Sequence, residues 1–207
     1  MPLGYPIVLD LSRSRVVIVG GGAVAARKAA GVLAAGAAQL RAVAPKFVKD
    51  FPAAVERILE TFEPRHLDGA NLAFAATDSA TANDAVVDEA RKRGIWVNRA
   101  DADDEDPGDF STPALGRFGP ITVAVTAGSP ALAAALRDQL AGAIGNEWVN
   151  LAEALVHIRP TIKSSNLPIT KRREILRSLA TADAATAATG GESALWEWTV
   201  GKFPELK

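Results

Sequence analysis

The run Gly20-Gly21-Gly22-Ala23-Val24-Ala25 follows the apolar stretch Arg15–Val19 and opens an alanine-rich segment. It fits the pattern G-x-G-x-x-G/A. In that pattern Gly20 makes the tight turn, Gly22 lets the backbone approach a pyrophosphate, and Ala25 permits close helix–strand packing. The amides of Ala23, Val24 and Ala25 then face the phosphates. A glycine-rich turn without a ligand is the competing reading; the position directly after a strand favours the dinucleotide. The acidic residue that usually holds the adenosine ribose about 20 positions on is missing. In its place stand Ala44, Pro45 and Lys46, which offer backbone groups and a cation compatible with a 2′-phosphate, so NAD and NADP both stay open. Farther on, Thr77 and Asp78 close one apolar run, and Asn98 and Asp101 close the next. Asn98 either hydrogen-bonds a cofactor or substrate or caps a loop. The segment "DADDEDPGDF" supplies carboxylates suited to taking a proton. Its members Asp103, Asp104, Glu105 and Asp106 also read as a hydrated, mutually repelling loop or a patch for hard cations.

Positioning such groups takes a sheet. "RVVIV" (Arg15–Val19), "QLRAVA" (Gln39–Ala44), "LAFAAT" (Leu72–Thr77) and "IWVNRA" (Ile95–Ala100) read as strands. Helices are expected over Val24–Ala35, Lys49–Leu59 and Ala80–Arg93, with Gly36 and Gly94 as C-terminal stops. This alternation predicts an α/β fold, a Rossmann-like parallel sheet with helices on both faces. In such a sheet ligands bind beyond the carboxyl ends of the strands, so Thr77, Asp78, Asn98 and Asp101 should converge near the nicotinamide end of a dinucleotide. A further strand, Pro120–Thr126, follows the "GRFG" turn. Ser129 as N-cap and Pro130 at the first helical position then start another helix. From Glu147 onward the pattern is helical, with Pro160 and Pro168 as breakers and "TADAATAATGGES" as a loose connection.

The 207 residues suffice for one good-sized domain and a smaller one. A formal charge of −1 provides no positive field for nucleic acid or an anionic membrane. The absence of cysteine removes disulfides, thiolate nucleophiles and cysteine metal sites. No apolar run approaches the roughly 20 residues of a bilayer span, and the N-terminus lacks a basic region ahead of an apolar core. A soluble, cytoplasmic protein is expected. His66 and His157 stand alone without metal-ligand spacing and read as structural. Trp148, Trp196 and Trp198 read as helix packing or interface.

Several stretches, in order, resemble the precorrin-2 dehydrogenase / sirohydrochlorin ferrochelatase family, the N-terminal part of siroheme synthases. The first is "YPIVLDLSRSRVVIVGGGAVAARKAAGVLAAGA", in which a short apolar strand leads into the glycine signature. "FAATDSATANDAV", "VNRAD", "DFSTPALGRFGPITVAV" and "SPALAAALRDQL" follow, so that the resemblance spans most of residues 5–140, with a weaker echo at "KRREIL". It implies NAD-dependent oxidation of precorrin-2 to sirohydrochlorin in siroheme (porphyrin) biosynthesis, by a homodimer. The implied plan is a Rossmann domain over residues 1–113, a dimerisation segment over 114–146 and a helical domain over 147–207.

The resemblance also implies roles. The family's key carboxylate lies three residues after the asparagine, which selects Asp101; counting back from Phe110 selects Asp103 instead. Strand spacing is firmer than loop spacing, which favours Asp101. A tetrapyrrole substrate rich in carboxylates calls for cations. Arg99, Arg117 and Arg137 are candidates, with Arg172 and Arg173 from the helical part, since arginine clamps carboxylates through two hydrogen bonds. Thr126 and Ser129 remain of a hydroxyl-rich loop that is shortened here. Ala127 falls where some members carry a hydroxyl linked to chelatase function. The alternatives are a bifunctional or chelatase-only enzyme taking Fe²⁺ or Co²⁺ as substrate, and a non-catalytic NAD(H)-sensing Rossmann module of the kind found in potassium-channel regulators. No resident metal is expected.

Overall fold

A computed structural model of the chain describes residues 4–100, 106 and 108–206. It divides into two compact units, Met1–Thr112 and Pro113–Lys207.

In the first unit five strands form one parallel sheet: β1 (Arg15–Val19), β2 (Gln39–Val43), β3 (Glu56–Ile58), β4 (Leu72–Ala75) and β5 (Trp96–Arg99). Their spatial order is β3-β2-β1-β4-β5. The β-branched run of β1 alternates faces as strand geometry requires. Val16 and Ile18 pack with Ala25, Ala29 and Val32 of helix α1 (Ala23–Ala34). Val17 and Val19 pack on the other face with Val86, Val87 and Ala90 of helix α2 (Ala80–Lys92). Burial on both faces is why these strands read as continuous apolar runs. Gly36 (φ +82°) and Gly94 (φ +67°) end the two helices in left-handed geometry, as anticipated.

One expectation fails here. No helix covers Lys49–Leu59; a loop leads into the short edge strand β3, which pairs Arg41 with Glu56 and Val43 with Ile58. Pro52 disfavours a helical Phe51. Phe51 and Val55 still reach the α1-face core from the loop. Arg57 fastens it by donating to the Phe51 carbonyl at 2.6 Å. Residues 4–10 carry no regular structure, and Tyr5 and Val8 are exposed.

The second unit begins with an antiparallel hairpin, β6 (Ala114–Phe118) and β7 (Ile121–Val125), turning at Gly119 (φ +54°). The sequence reading had only β7. Helices α3 (Pro130–Gly142), α4 (Asn146–Ser164), α5 (Ile169–Ser178), α6 (Ala182–Ala188) and α7 (Gly191–Lys202) follow. Pro160 lies inside α4 rather than breaking it. It is exposed, so the orphaned carbonyl one turn back faces solvent, while Ile158 and Ile162 pull the helix onto the core from both sides. Pro168 does precede α5. The "loose connection" is α6, capped by the Thr181 hydroxyl, which accepts from the Ala184 amide at 3.3 Å. Ala184, Ala185 and Ala188 are its buried face. Alanine is the strongest helix former, and its small side chain lets α6 lie close to its neighbours.

Candidate functional site

All five strands run the same way, so the loops after Val19, Val43, Ala75 and Arg99 emerge along one edge of the sheet. The chain order reverses between β1 and β4, and a crevice opens at such a switch point.

The three glycines there differ in what they serve. Gly20 (φ +136°) is buried beneath the β4 exit; a Cβ would lie 2.2 Å from the Ala76 carbonyl oxygen. Its amide donates to the Val43 carbonyl at 2.9 Å. A Cβ on Gly21 would lie 1.9 Å from the Lys46 carbonyl oxygen, and Val48 donates to the Gly21 carbonyl at 2.8 Å. Gly21 was only a spacer in the sequence pattern, yet the fold requires it. Gly22 is the reverse case: its φ of −82° suits any residue, and nothing lies within 4 Å of a Cβ built there. The fold leaves this glycine unexplained, and a phosphate brought against the backbone would explain it.

Gly22 is also the N-cap of α1, whose first turn has no side-chain cap and no acidic residue. The amides at that end are therefore available to an anion, with the helix dipole behind them. Ala23 and Val24 are exposed, whereas Ala25 is buried in the α1-face core. Pro45 and Lys46 are exposed at the β2 exit, where no carboxylate stands.

At the β4 exit the side chain of Asn83, fully buried on α2, folds the turn. Its Oδ1 accepts from the Thr77 amide at 3.1 Å and lies 2.8 Å from the Thr77 hydroxyl; its Nδ2 donates to the Thr77 carbonyl at 3.1 Å. The Thr77 hydroxyl also accepts from the Ser79 amide at 3.2 Å. Thr77 is thus committed to the turn, and Asp78 is exposed. Sequence reasoning missed Asn83. Its signal was a polar residue on the spacing shared by Val86, Val87 and Ala90.

Asn98 in β5 is 4% exposed. Its Nδ2 donates to the Phe110 carbonyl at 2.9 Å, while its buried Oδ1 has no hydrogen-bond partner. One end of the amide ties down a loop, as one reading had it. The other is a buried acceptor near the carboxyl end of the strand whose hydrogen-bonding capacity is unmet. Arg99 pairs with Asp84 of α2.

Asp101 and Asp103 lie outside the described residues, as do Asp104 and Glu105. Asp106 is described, and it is paired rather than left to repel its neighbours. The Arg91 guanidinium grips it at 2.6 and 2.8 Å and reaches Asp109 at 3.3 Å. That fork, helped by the Gly108 amide, holds the Asp106 carboxyl below its usual range. Asp109 also accepts from the Val97 amide at 3.0 Å and returns its own amide to the Val97 carbonyl at 2.7 Å. Asn98 and Gly108 form an antiparallel bridge. The return of the acidic segment is stitched to β5 by these bonds.

Lys28, on α1, escaped the sequence reading. It is half-buried; its Nζ donates to the Thr112 hydroxyl at 2.5 Å and lies 5.7 Å from the centre of the Phe74 ring. Burial, with Arg27 beside it, pulls its pKa down to about 8.

The remaining candidates belong to the second unit. Arg117 is exposed in β6, paired in register with Thr122. Arg137 of α3 bonds Asp138 at 2.8 Å, with its Cδ beside Gly116. Thr126 is exposed; the Ser129 hydroxyl caps α3 by accepting from the Leu132 amide at 3.2 Å. Arg172 donates to the Lys163 carbonyl near the end of α4, and Arg173 is exposed. Trp196 and Trp198 pack on the helical core. His66 is held between the Glu63 amide and Glu60 in the first unit. Among the described residues, no three His, Asp or Glu side chains gather as a metal site, and no helix is long and apolar enough to cross a membrane.

Residues 7–114 match the family model described as putative NAD(P)-binding. The chain is 36% identical over 197 residues to a siroheme synthase of Chromobacterium violaceum, covering 92% of this chain and 41% of that protein. A siroheme synthase of Nitrosomonas eutropha is 37% identical over 167 residues, 77% of this chain and 34% of its own length. The chain therefore spans well under half of these relatives. Among solved structures, SirC, a precorrin-2 dehydrogenase, superposes with a TM-score of 0.77 at 20% identity, covering 95% of this chain and 98% of that one.

Proposed function

The chain belongs to the putative NAD(P)-binding family, and on that premise we propose that it is an NAD-dependent precorrin-2 dehydrogenase of siroheme biosynthesis. The observation that carries the proposal is the cradle above Gly22, open where the fold itself has no need of glycine. The similarity to siroheme synthases over 92% of the chain supplies the substrate class.

NAD⁺ supplies a hydride acceptor to the bound tetrapyrrole. The glycine turn and the first amides of α1 would hold the pyrophosphate, Pro45 and Lys46 would border the adenosine ribose, and Asn98 would accept a ligand N–H on its unpartnered Oδ1. Oxidation of precorrin-2 breaks one C–H bond as hydride and one bond to a second hydrogen as a proton. Asp101 takes that proton as general base, with Asp103 as the alternative. For the substrate carboxylates the candidates are Arg99 in the first unit and, each taken by itself, Arg117, Arg137 and Thr126 in the second. Ser129 serves as a helix cap first.

We assign the hairpin and α3, residues 114–146, to dimerisation. Leu132, Leu136 and Leu140 line one exposed stripe of α3 at i, i+4 and i+8, and Leu115 is exposed on β6. Residues 1–113 then form the nucleotide domain and 147–207 the helical domain of a cytoplasmic homodimer.

The test is anaerobic NADH formation from precorrin-2 by the wild type, Asp101→Ala and Asp103→Ala, with Fe²⁺ or Co²⁺ insertion into sirohydrochlorin scored separately. Wild-type turnover lost in Asp101→Ala is expected. Loss in Asp103→Ala alone moves the base, and nucleotide binding without any turnover contradicts the proposal.

A further inference from the structure

Asn98 and Lys28 act on one short segment. Asn98 stands opposite Phe74 in the β4–β5 register, so both side chains face α1. The Phe74 ring meets the Phe110 ring edge-on at 5.5 Å. Phe110 gives its carbonyl to Asn98, and two residues later Thr112 takes the Lys28 ammonium. Among the described residues no carboxylate pairs with Lys28. Its charge rests on a hydroxyl and the face of an aromatic ring, weaker partners than a carboxylate, so part of its desolvation is uncompensated.

We propose that Lys28 is a positioning residue: by holding the Phe110–Thr112 segment it fixes the Asn98 amide, so that the buried, unpartnered Oδ1 is kept for the carboxamide N–H of a bound nicotinamide. The inference rests on the NAD reading above. In a dinucleotide site of this strand order the adenosine lies toward β2, so the nicotinamide extends toward β4 and β5. Asn98 sits on that side.

The charge on Lys28 is the handle for a test. With its pKa drawn down to about 8, the ammonium is lost within an accessible pH range. Arg27 is the charged group beside it on α1; Phe74 and the Phe110–Thr112 segment bring no titratable group, and Asp109 is engaged by Arg91. Full-length wild type, Asn98→Ala, Lys28→Met and Lys28→Arg are titrated by calorimetry with NAD⁺ and with ADP-ribose, which lacks the nicotinamide, from pH 7 to pH 9.5. The expected wild-type preference for NAD⁺ is about tenfold, the worth of one buried hydrogen bond, and it fades as pH rises past 8. Asn98→Ala and Lys28→Met lack the preference at every pH while still binding ADP-ribose. Lys28→Arg keeps it, without the alkaline decline. A Lys28→Met protein with the wild-type preference and pH profile overturns the proposal. A wild type that binds neither nucleotide overturns the NAD reading itself.

Discussion

Adding one methyl group to Gly21 and to Gly22 should have opposite consequences. At Gly21 the new Cβ would lie 1.9 Å from the Lys46 carbonyl oxygen and 2.9 Å from Ala44 Cβ. Backbone rather than a flexible side chain must therefore retreat, by roughly 1.5 Å to reach ordinary contact. Overpacking of this kind costs about 1–3 kcal/mol. The Val48–Gly21 hydrogen bond of 2.8 Å is strained with it, at about another 1 kcal/mol. Gly21→Ala is expected to lose about 3 kcal/mol, which lowers the Tm of a unit this size by roughly 10 °C or more. At Gly22, φ is −82° and the space is open, so stability should move by less than about 1 kcal/mol, between a weaker N-cap and a stiffer unfolded chain. The methyl group would instead stand where the pyrophosphate approaches, and NAD⁺ affinity should fall at least about tenfold. Scanning calorimetry and NAD⁺ titration of the two variants read both effects. A Gly22→Ala protein that binds NAD⁺ like the wild type refutes the cradle, and a Gly21→Ala protein with wild-type Tm refutes the packing argument.

Other outcomes follow from the same geometry. Asn83→Ala leaves the part-buried amide and carbonyl of Thr77 without their side-chain partner and should cost about 1–2 kcal/mol in urea unfolding; wild-type stability would show that water replaces the side chain. Lys28 has its pKa lowered to about 8 from 10.5, so between those values the unfolded chain holds a proton the folded one has released. Stability must rise with pH through that window, by about 1–2 kcal/mol from this group once screening of its solvent-exposed part is allowed for, and urea midpoints of Lys28→Met should lose that rise. Arg91→Ala removes contacts to carboxylates that are each at least a third exposed, worth at most about 1 kcal/mol. Its mark should be local, faster hydrogen exchange at the Val97 and Asp109 amides with little change in Tm; unchanged exchange there would show that the fork does not hold the segment.

What could be read from the sequence follows the range of each interaction. The parallel sheet, α1 and α2 were legible because doubly buried strands are apolar throughout and because Gly36 and Gly94 mark helix ends. Local capping at Ser129 was equally plain. The edge strand β3 was not, since Phe51 and Val55 sit four apart in either state and only pairing with β2 decides between them. The stretch around α6 looked loose because alanine packs helices closely without any apolar signature. At the site, the glycine motif falls at the switch point of the sheet, and Gly20 makes the turn it was read for, but nothing in the motif marked Gly21 as a residue the fold also needs. The partnerships that shape the crevice, Asn83 with Thr77, Arg91 with Asp106 and Asp109, and Lys28 with Thr112, join residues 6 to 84 positions apart. No spacing rule connects them. The choice between Asp101 and Asp103 rests with residues outside those described.

The most direct test of the account is the stoichiometry of a single anaerobic turnover, with the protein in excess over precorrin-2 and NAD⁺ supplied. The account predicts one NADH for each sirohydrochlorin formed. Sirohydrochlorin appearing without NADH, or NAD⁺ bound with precorrin-2 left unchanged, would contradict it.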